Sequence, residues 1–243
     1  MIVEALESIK APGALETVRR LVQRINEIMI YAVNTGVIDA NPASGVGMAF
    51  EKPKKQNMPT LRPDELPTLM RSLVMSNLSI TTRCLIEWQL LTLVRPSEAS
   101  GTEWTEIDLD LKLWVIPAER MKAKREHVVP LSKQALDILK VMRPLSGNRQ
   151  YVFPSRNDPR QPMNSQTANA AIKRIGYGGK LVAHSLRSIA STAMNEAGFN
   201  PDVIEASLAH SDKNEARKAY NRSTYLSQRT ELMNWWGLQV KKH

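Results

Sequence analysis

The stretch ITTRCLIEWQLLTLVRPSEASG, residues 80–101, decides how the rest of the chain is organised. Ile80, Cys84, Leu85, Ile86, Trp88, Leu90, Leu91 and Leu93 surround a 3.6-residue turn on almost every side. A helix apolar all round belongs inside a core, so this segment is expected to be the central buried helix of its domain. It falls short of the ~18 consecutive apolar residues that a membrane span needs. Pro96 sets its end: proline disfavours the helical conformation in the residue before it, which puts Arg95 at the mouth of the helix rather than along its side.

Toward the C-terminus, LWVI (113–116) and HVVPL (127–131) have the composition of two short strands, joined by the polar stretch AERMKAKRE, so a hairpin with lysines at its turn is expected. Helices follow near 132–142 and 165–175, the second stopped by the Gly176–Gly179 cluster. Three or four more occupy residue 184 to the C-terminus, with breaks near 198–201 and 211–212. Toward the N-terminus, Pro63, Asp64 and Glu65 open a helix, with proline in its first turn and acids at its positive end. Before that, FEKPKKQNMPT (50–60) has two prolines and no apolar period, as expected of a linker. In residues 14–35, Leu15, Val18, Val22, Ile25, Met29 and Ala32 recur at three- and four-residue steps, opposite Arg19, Arg20 and Arg24. The expected class is mainly α with a small β-sheet (α+β): a partial helical segment over 1–49, a linker over 50–60 and one larger domain over 61–243.

The 243 residues carry 33 Lys and Arg against 24 Asp and Glu, a net charge of +9, which attracts polyanions and makes nucleic acid the leading partner. Residues 1–13 lack a secretory signal pattern. The single cysteine, Cys84, lies in the apolar run and is expected to be a packing residue in a reducing, cytoplasmic setting. The four histidines show no metal-ligand spacing, and no glycine-rich phosphate loop or GxSxG elbow occurs, so neither metal nor nucleotide cofactor is expected.

In VAHSLRSIASTAMNEAG (182–198) the apolar residues follow helical spacing, while His184 and Arg187, three apart, share another face near the helix start. An imidazole, a guanidinium and the positive end of a helix together suit an anion. Downstream, SLAHSDKNEARKAYNRSTY (207–225) places His210 before a turn and Tyr220 ten residues later.

Four blocks in order, LLTLVRPSEASGTEW, WVIPAERMKAKREHVVPLS, HSLRSIAST and LAHSDKNEARKAYNR, resemble the catalytic domain of tyrosine recombinases of the phage and genomic-island integrase type. The likeness spans about residues 62–240, and residues 14–60 resemble the latter part of the family's core-binding domain. By that resemblance the first arginine is Arg95, followed by the acidic Glu98. The hairpin lysine is Lys122, the HxxR pair is His184 and Arg187, the next histidine is His210, and the nucleophile is Tyr220. The implied function is site-specific recombination of double-stranded DNA, integrating or excising a phage or genomic island through a 3′-phosphotyrosyl intermediate. Four protomers on two duplexes and DNA-bending accessory proteins are the implied partners, and no membrane is involved. Two alternatives remain: nicking and resealing in the manner of a type IB topoisomerase, and DNA binding without covalent chemistry.

The residue types suit the implied reaction. Attack on a phosphodiester builds charge on the non-bridging oxygens, which the forked donors of Arg95 and Arg187 can grip. Lys122 can protonate the departing 5′-oxygen, His184 can take the tyrosine proton, and His210 can add a hydrogen bond to the phosphate. Lys124 rivals Lys122, and Tyr225 rivals Tyr220. Glu98 is expected to hold an arginine, His127 to be a strand residue, and Leu232, Trp235, Trp236 and Leu238 to be either core or a docking face. Related integrases carry an arm-binding domain and a complete core-binding domain. This chain is therefore expected to be a fragment that keeps the pocket but binds DNA weakly.

Overall fold

The computed structural model describes residues 2–9, 14–53, 57–210 and 225–241. The chain divides into two compact units, residues 1–57 and 58–243.

The first unit contains α1 (Ile2–Glu7), α2 (Leu15–Asn34) and a 3₁₀ turn over Val46–Ala49. Its core is small: Leu6, Val18 and Val22 are buried, with Ile25, Val46 and Phe50 packed around them. Of the apolar stripe expected on α2, Val18 and Val22 are buried and Leu15, Ile25, Met29 and Ala32 half-buried, while Ile28, Ile30 and Tyr31 outside it are exposed. Arg19 and Arg20 both bond Glu16 at 2.9 and 3.0 Å, and Arg24 bonds Glu27 at 2.6 Å. The two guanidiniums hold the Glu16 carboxyl down at about 2.

The second unit is built around one core. A 3₁₀ turn over Pro63–Glu65 leads into α3 (Leu66–Met75), followed by α4 (Ile80–Thr92) and the short α5 (Pro96–Ser100). Strands β1 (Ile107–Asp108), β2 (Leu113–Ile116) and β3 (His127–Pro130) form an antiparallel sheet in that order, with Trp114 opposite both Ile107 and Val129. Thus the expected hairpin is two strands of a three-stranded sheet; β1 is only two residues long, too short to show a period of two. Then come α6 (Lys133–Ser146), α7 (Thr167–Ile172), α8 (Leu186–Glu196), α9 (Pro201–Ser207) and α10 (Leu226–Lys241). A π turn over Lys173–Tyr177 ends α7 at Gly176, whose φ of +94° suits glycine.

As expected of an all-round apolar helix, α4 lies at the centre and packs on α6, α7, α8 and α10. The Trp88 ring lies 5.2 Å from that of Trp114 and 6.2 Å from that of Phe153. Each buried indole finds an acceptor, as a buried N–H must: Trp88 bonds Thr102 at 3.0 Å, Trp114 bonds Glu106 at 2.9 Å and Trp236 bonds the Leu90 carbonyl at 2.8 Å. Leu232 and Trp236 on α10 thus belong to the core of their own unit, Trp235 packs partly buried against Phe199, and Leu238 is exposed. Cys84 is buried and unpaired by any disulfide, and burial pushes its thiol up to about 11. Among the described residues no helix is long and apolar enough to cross a membrane.

Candidate active site

The end of α4 differs from the expected position. The helix stops at Thr92 because Leu93 turns left-handed, φ +60°, three residues before Pro96. Arg95 is therefore extended backbone at the start of α5. Its own N–H and its Nη1 both donate to the Glu98 carboxylate, at 2.8 and 3.0 Å, so one nearly buried acid fixes the backbone and the guanidinium together. Glu98 does hold an arginine, and that arginine is Arg95.

The left-handed Leu93 also redirects its carbonyl, which accepts from Nη1 of Arg187 in the first turn of α8. Nη2 of Arg187 donates to the Leu208 carbonyl and, at 3.0 Å, to Nε2 of His210. Leu208 follows α9, and Ala209 beyond it has φ +49°. The backbone N–H of His210 then reaches back to the Glu205 carbonyl at 3.1 Å, the six-to-one bond of a Schellman ending with alanine where glycine is usual. The same two residues meet again through their side chains, His210 Nδ1 and Glu205 Oε2, at 2.8 Å.

The tautomer follows. A guanidinium can only donate, so Nε2 of His210 accepts and the ring proton sits on Nδ1, aimed at the Glu205 carboxylate.

Arg187 is only 4% exposed, and among the described residues three of its five N–H groups are engaged. Burial, then repulsion from Arg95, pulls it down to about 10, still cationic at neutral pH. His184 lies in a 3₁₀ turn, Ala183–Ser185, just before α8. That turn is gripped from two sides: the Ala183 carbonyl accepts from Gln89 at 2.7 Å, and the Ala183 N–H donates to Asn169 at 3.1 Å. His184 is exposed while Arg187 points inward, so the two diverge although one turn apart. Desolvation first, then Arg187, Arg95 and His210, hold the His184 imidazole below its ordinary range; Glu98 opposes them. It is accordingly neutral, with a free-base form available at neutral pH.

Arg95, Arg187, His184 and His210 are thus brought into one neighbourhood. Lys122 lies on the exposed connection between β2 and β3, just after buried Met121, and no hydrogen bond links it to those four. Lys124, on the same connection, has φ +51° and closes a turn onto the Met121 carbonyl at 3.0 Å. Tyr220 lies outside the described residues. Tyr225 packs partly buried on the core and its carbonyl accepts from the Arg229 N–H at 2.8 Å, opening α10.

Two buried groups at this end of the sheet escape sequence reasoning. His127 is a strand residue of β3, as expected, yet it is only 8% exposed and its Nε2 has no partner among the described residues. Burial, then Arg229 and Arg187, push it down to about 3, so it is neutral. Arg229 on α10 donates from Nη2 to the Val128 carbonyl, a bond that ties α10 to the sheet. Gln89, Asn169 and Arg229 carry no local signal, because their partners lie far away in sequence.

A helical unit with a small antiparallel sheet and a cation cluster at the ends of α4, α8 and α9 is the catalytic fold of tyrosine recombinases. A lambda integrase tetramer bound to a Holliday junction superposes with a TM-score of 0.69 at 17% identity, covering 88% of this chain and 64% of that one. The Tn1549 transposon integrase in complex with circular intermediate DNA gives 0.65 at 15% identity, covering 95% and 83%. Residues 59–226 match the phage integrase family and residues 1–49 the phage integrase central domain. Prophage integrase IntA of Escherichia coli strain K12 is 62% identical over 240 residues, 99% of this chain and 58% of that protein. The integrase of Enterobacteria phage P4 is 36% identical, covering 95% and 56%. The chain belongs to the phage integrase family and spans rather more than half the length of these curated relatives.

Proposed function

We propose that this chain contains the catalytic part of a site-specific DNA recombinase that cuts and rejoins double-stranded DNA through a 3′-phosphotyrosyl intermediate, integrating or excising a phage or genomic island. The observation that supports it is the cluster of Arg95, Arg187, His184 and His210, two cations and two imidazoles acting on one another in a chain of the phage integrase family.

Arg95 and Arg187 hold the non-bridging oxygens of the scissile phosphate and favour the more highly charged transition state. His184, kept neutral, accepts the proton of the Tyr220 hydroxyl as that oxygen bonds phosphorus. Lys122 delivers a proton to the departing 5′-oxygen. His210, its Nδ1 held by Glu205, accepts from Arg187 through Nε2 and so steadies that guanidinium on the phosphate. The ester keeps the energy of the broken bond, so a 5′-hydroxyl can reverse the step without a nucleotide cofactor or metal. Residues 1–49 act as part of a core-binding domain, 50–60 as a linker and 61–243 as the catalytic domain. Four protomers on two duplexes, aided by DNA-bending proteins, carry out strand exchange in the cytoplasm.

The test is capture of a covalent adduct on a nicked suicide duplex. The parent chain should form one, and Tyr220→Phe should form none while its duplex affinity stays nearly unchanged. Retained binding with no adduct from the parent would mean a non-catalytic binder. Relaxed plasmid without recombinant product would mean nicking and resealing.

A further inference from the structure

Arg120 ends the 3₁₀ turn Ala118–Arg120 that leaves β2, two residues before Lys122. Its guanidinium makes contacts in two directions. Nη1 pairs with both oxygens of the Glu106 carboxylate. Nη2 donates at 2.8 Å to the backbone carbonyl of Glu98, the residue whose carboxylate holds Arg95. Glu106 is itself fixed, accepting from the Trp114 indole at 2.9 Å and from the Glu103 N–H at 3.2 Å.

Gly101 shows how closely this contact is built. Its φ is −89°, which any residue adopts, so conformational freedom is not the reason for glycine. A Cβ there would sit 2.8 Å from Arg120 Nη2: the missing side chain is the slot that the guanidinium occupies.

We propose that Arg120 is a positioning residue that ties the root of the lysine-bearing loop to the element carrying Arg95, and so places Lys122 against the leaving oxygen of the phosphate held by Arg95. The proposal rests on the assignment of Lys122 as proton donor. Arg120 touches no reacting atom. The fork geometry is what matters: one guanidinium spans an acid and a carbonyl at once, which the single ammonium of lysine cannot do. Loss of the span leaves Arg95 held by Glu98 and frees the loop.

The chemistry offers a readout that a merely structural role would not move. When the bridging 5′-oxygen of the scissile phosphate is replaced by sulfur, the P–S bond breaks with departure of a thiolate, which needs no proton. The experiment compares adduct formation on oxygen and sulfur suicide duplexes for the parent, Lys122→Ala, Arg120→Lys and Gly101→Ala. Gly101→Ala keeps the Arg120–Glu106 pair and only displaces Nη2, which protects the test against misfolding. A misplacement of the order of 1 Å slows both clamp variants about 10²-fold on oxygen, and sulfur should restore them to within about threefold of the parent. Equal slowing on both substrates, or no slowing on either, overturns the proposal while Lys122→Ala is rescued. If sulfur fails to rescue Lys122→Ala, the Lys122 assignment falls and this proposal with it.

Discussion

Arg187 is held by neutral acceptors, the Leu93 and Leu208 carbonyls and a ring nitrogen of His210, whereas Arg95 is held by the carboxylate of Glu98. The first arrangement orients a buried guanidinium without cancelling its charge. The second steadies a more exposed arginine at the cost of part of its field. Burying a cation is unfavourable, and although Glu98 and Glu205 act the other way the cost shows in the lowered pKa of Arg187. In the proposed reaction the two arginines would have different duties: Arg187 would provide field, and Arg95 a fixed fork whose geometry Glu98 sets.

The widest separation between them should appear on substitution by lysine. Arg187→Lys should slow adduct formation by about 10³-fold, the loss of a forked donor in a desolvated site. It should also destabilise the domain by about 1–3 kcal/mol, because the Leu93 and Leu208 carbonyls lose their donors; single-turnover rates and urea midpoints measure both. Arg95→Lys should cost about 10² in rate. Its urea midpoint should shift by less than about 1 kcal/mol, since an ion pair to Glu98 can re-form at a partly exposed site. Equal effects at both positions would erase the distinction.

A smaller effect sharpens the same contrast. His127 feels the positive charge of Arg229 and Arg187 and stays neutral in the fold, near 3 against an ordinary 6.5. Between those values the unfolded chain binds a proton that the folded chain refuses, so stability is complete above about pH 6.5 and falls as pH drops toward 3. By pH 5 this one group should have removed about 2 kcal/mol. His127→Gln should therefore lose less stability than the parent between pH 7.5 and pH 5, measured by urea midpoints. Parallel losses would show that the imidazole is not the group responsible.

What could be seen in the sequence is what short-range patterns encode. The all-round apolar helix α4, the strands LWVI and HVVP and the helix breaks around Gly198 and Pro201 all lie where spacing puts them. The HxxR step of three places His184 and Arg187 a turn apart, yet nothing local says that one faces solvent and the other the interior. That depends on carbonyls delivered by left-handed residues, Leu93 and Ala209, neither of which is a residue type that advertises φ above zero. The end of α4 is hidden for the same reason: Pro96 is the visible stop and Leu93 the actual one. Arg120, Glu106 and Gly101 stayed hidden because each is ordinary alone, and their relation spans 20 positions and a strand pairing. Tyr220 was legible only through the resemblance and lies outside the described residues.

Arg187, in the first turn of α8, takes its partners from the end of α4 and the end of α9, 94 and 21 positions away. No local fragment can assemble that arrangement. Only the finished domain orients this cation, so the proposed cleavage would be withheld from a nascent or half-folded chain, with tertiary structure itself as its safety catch.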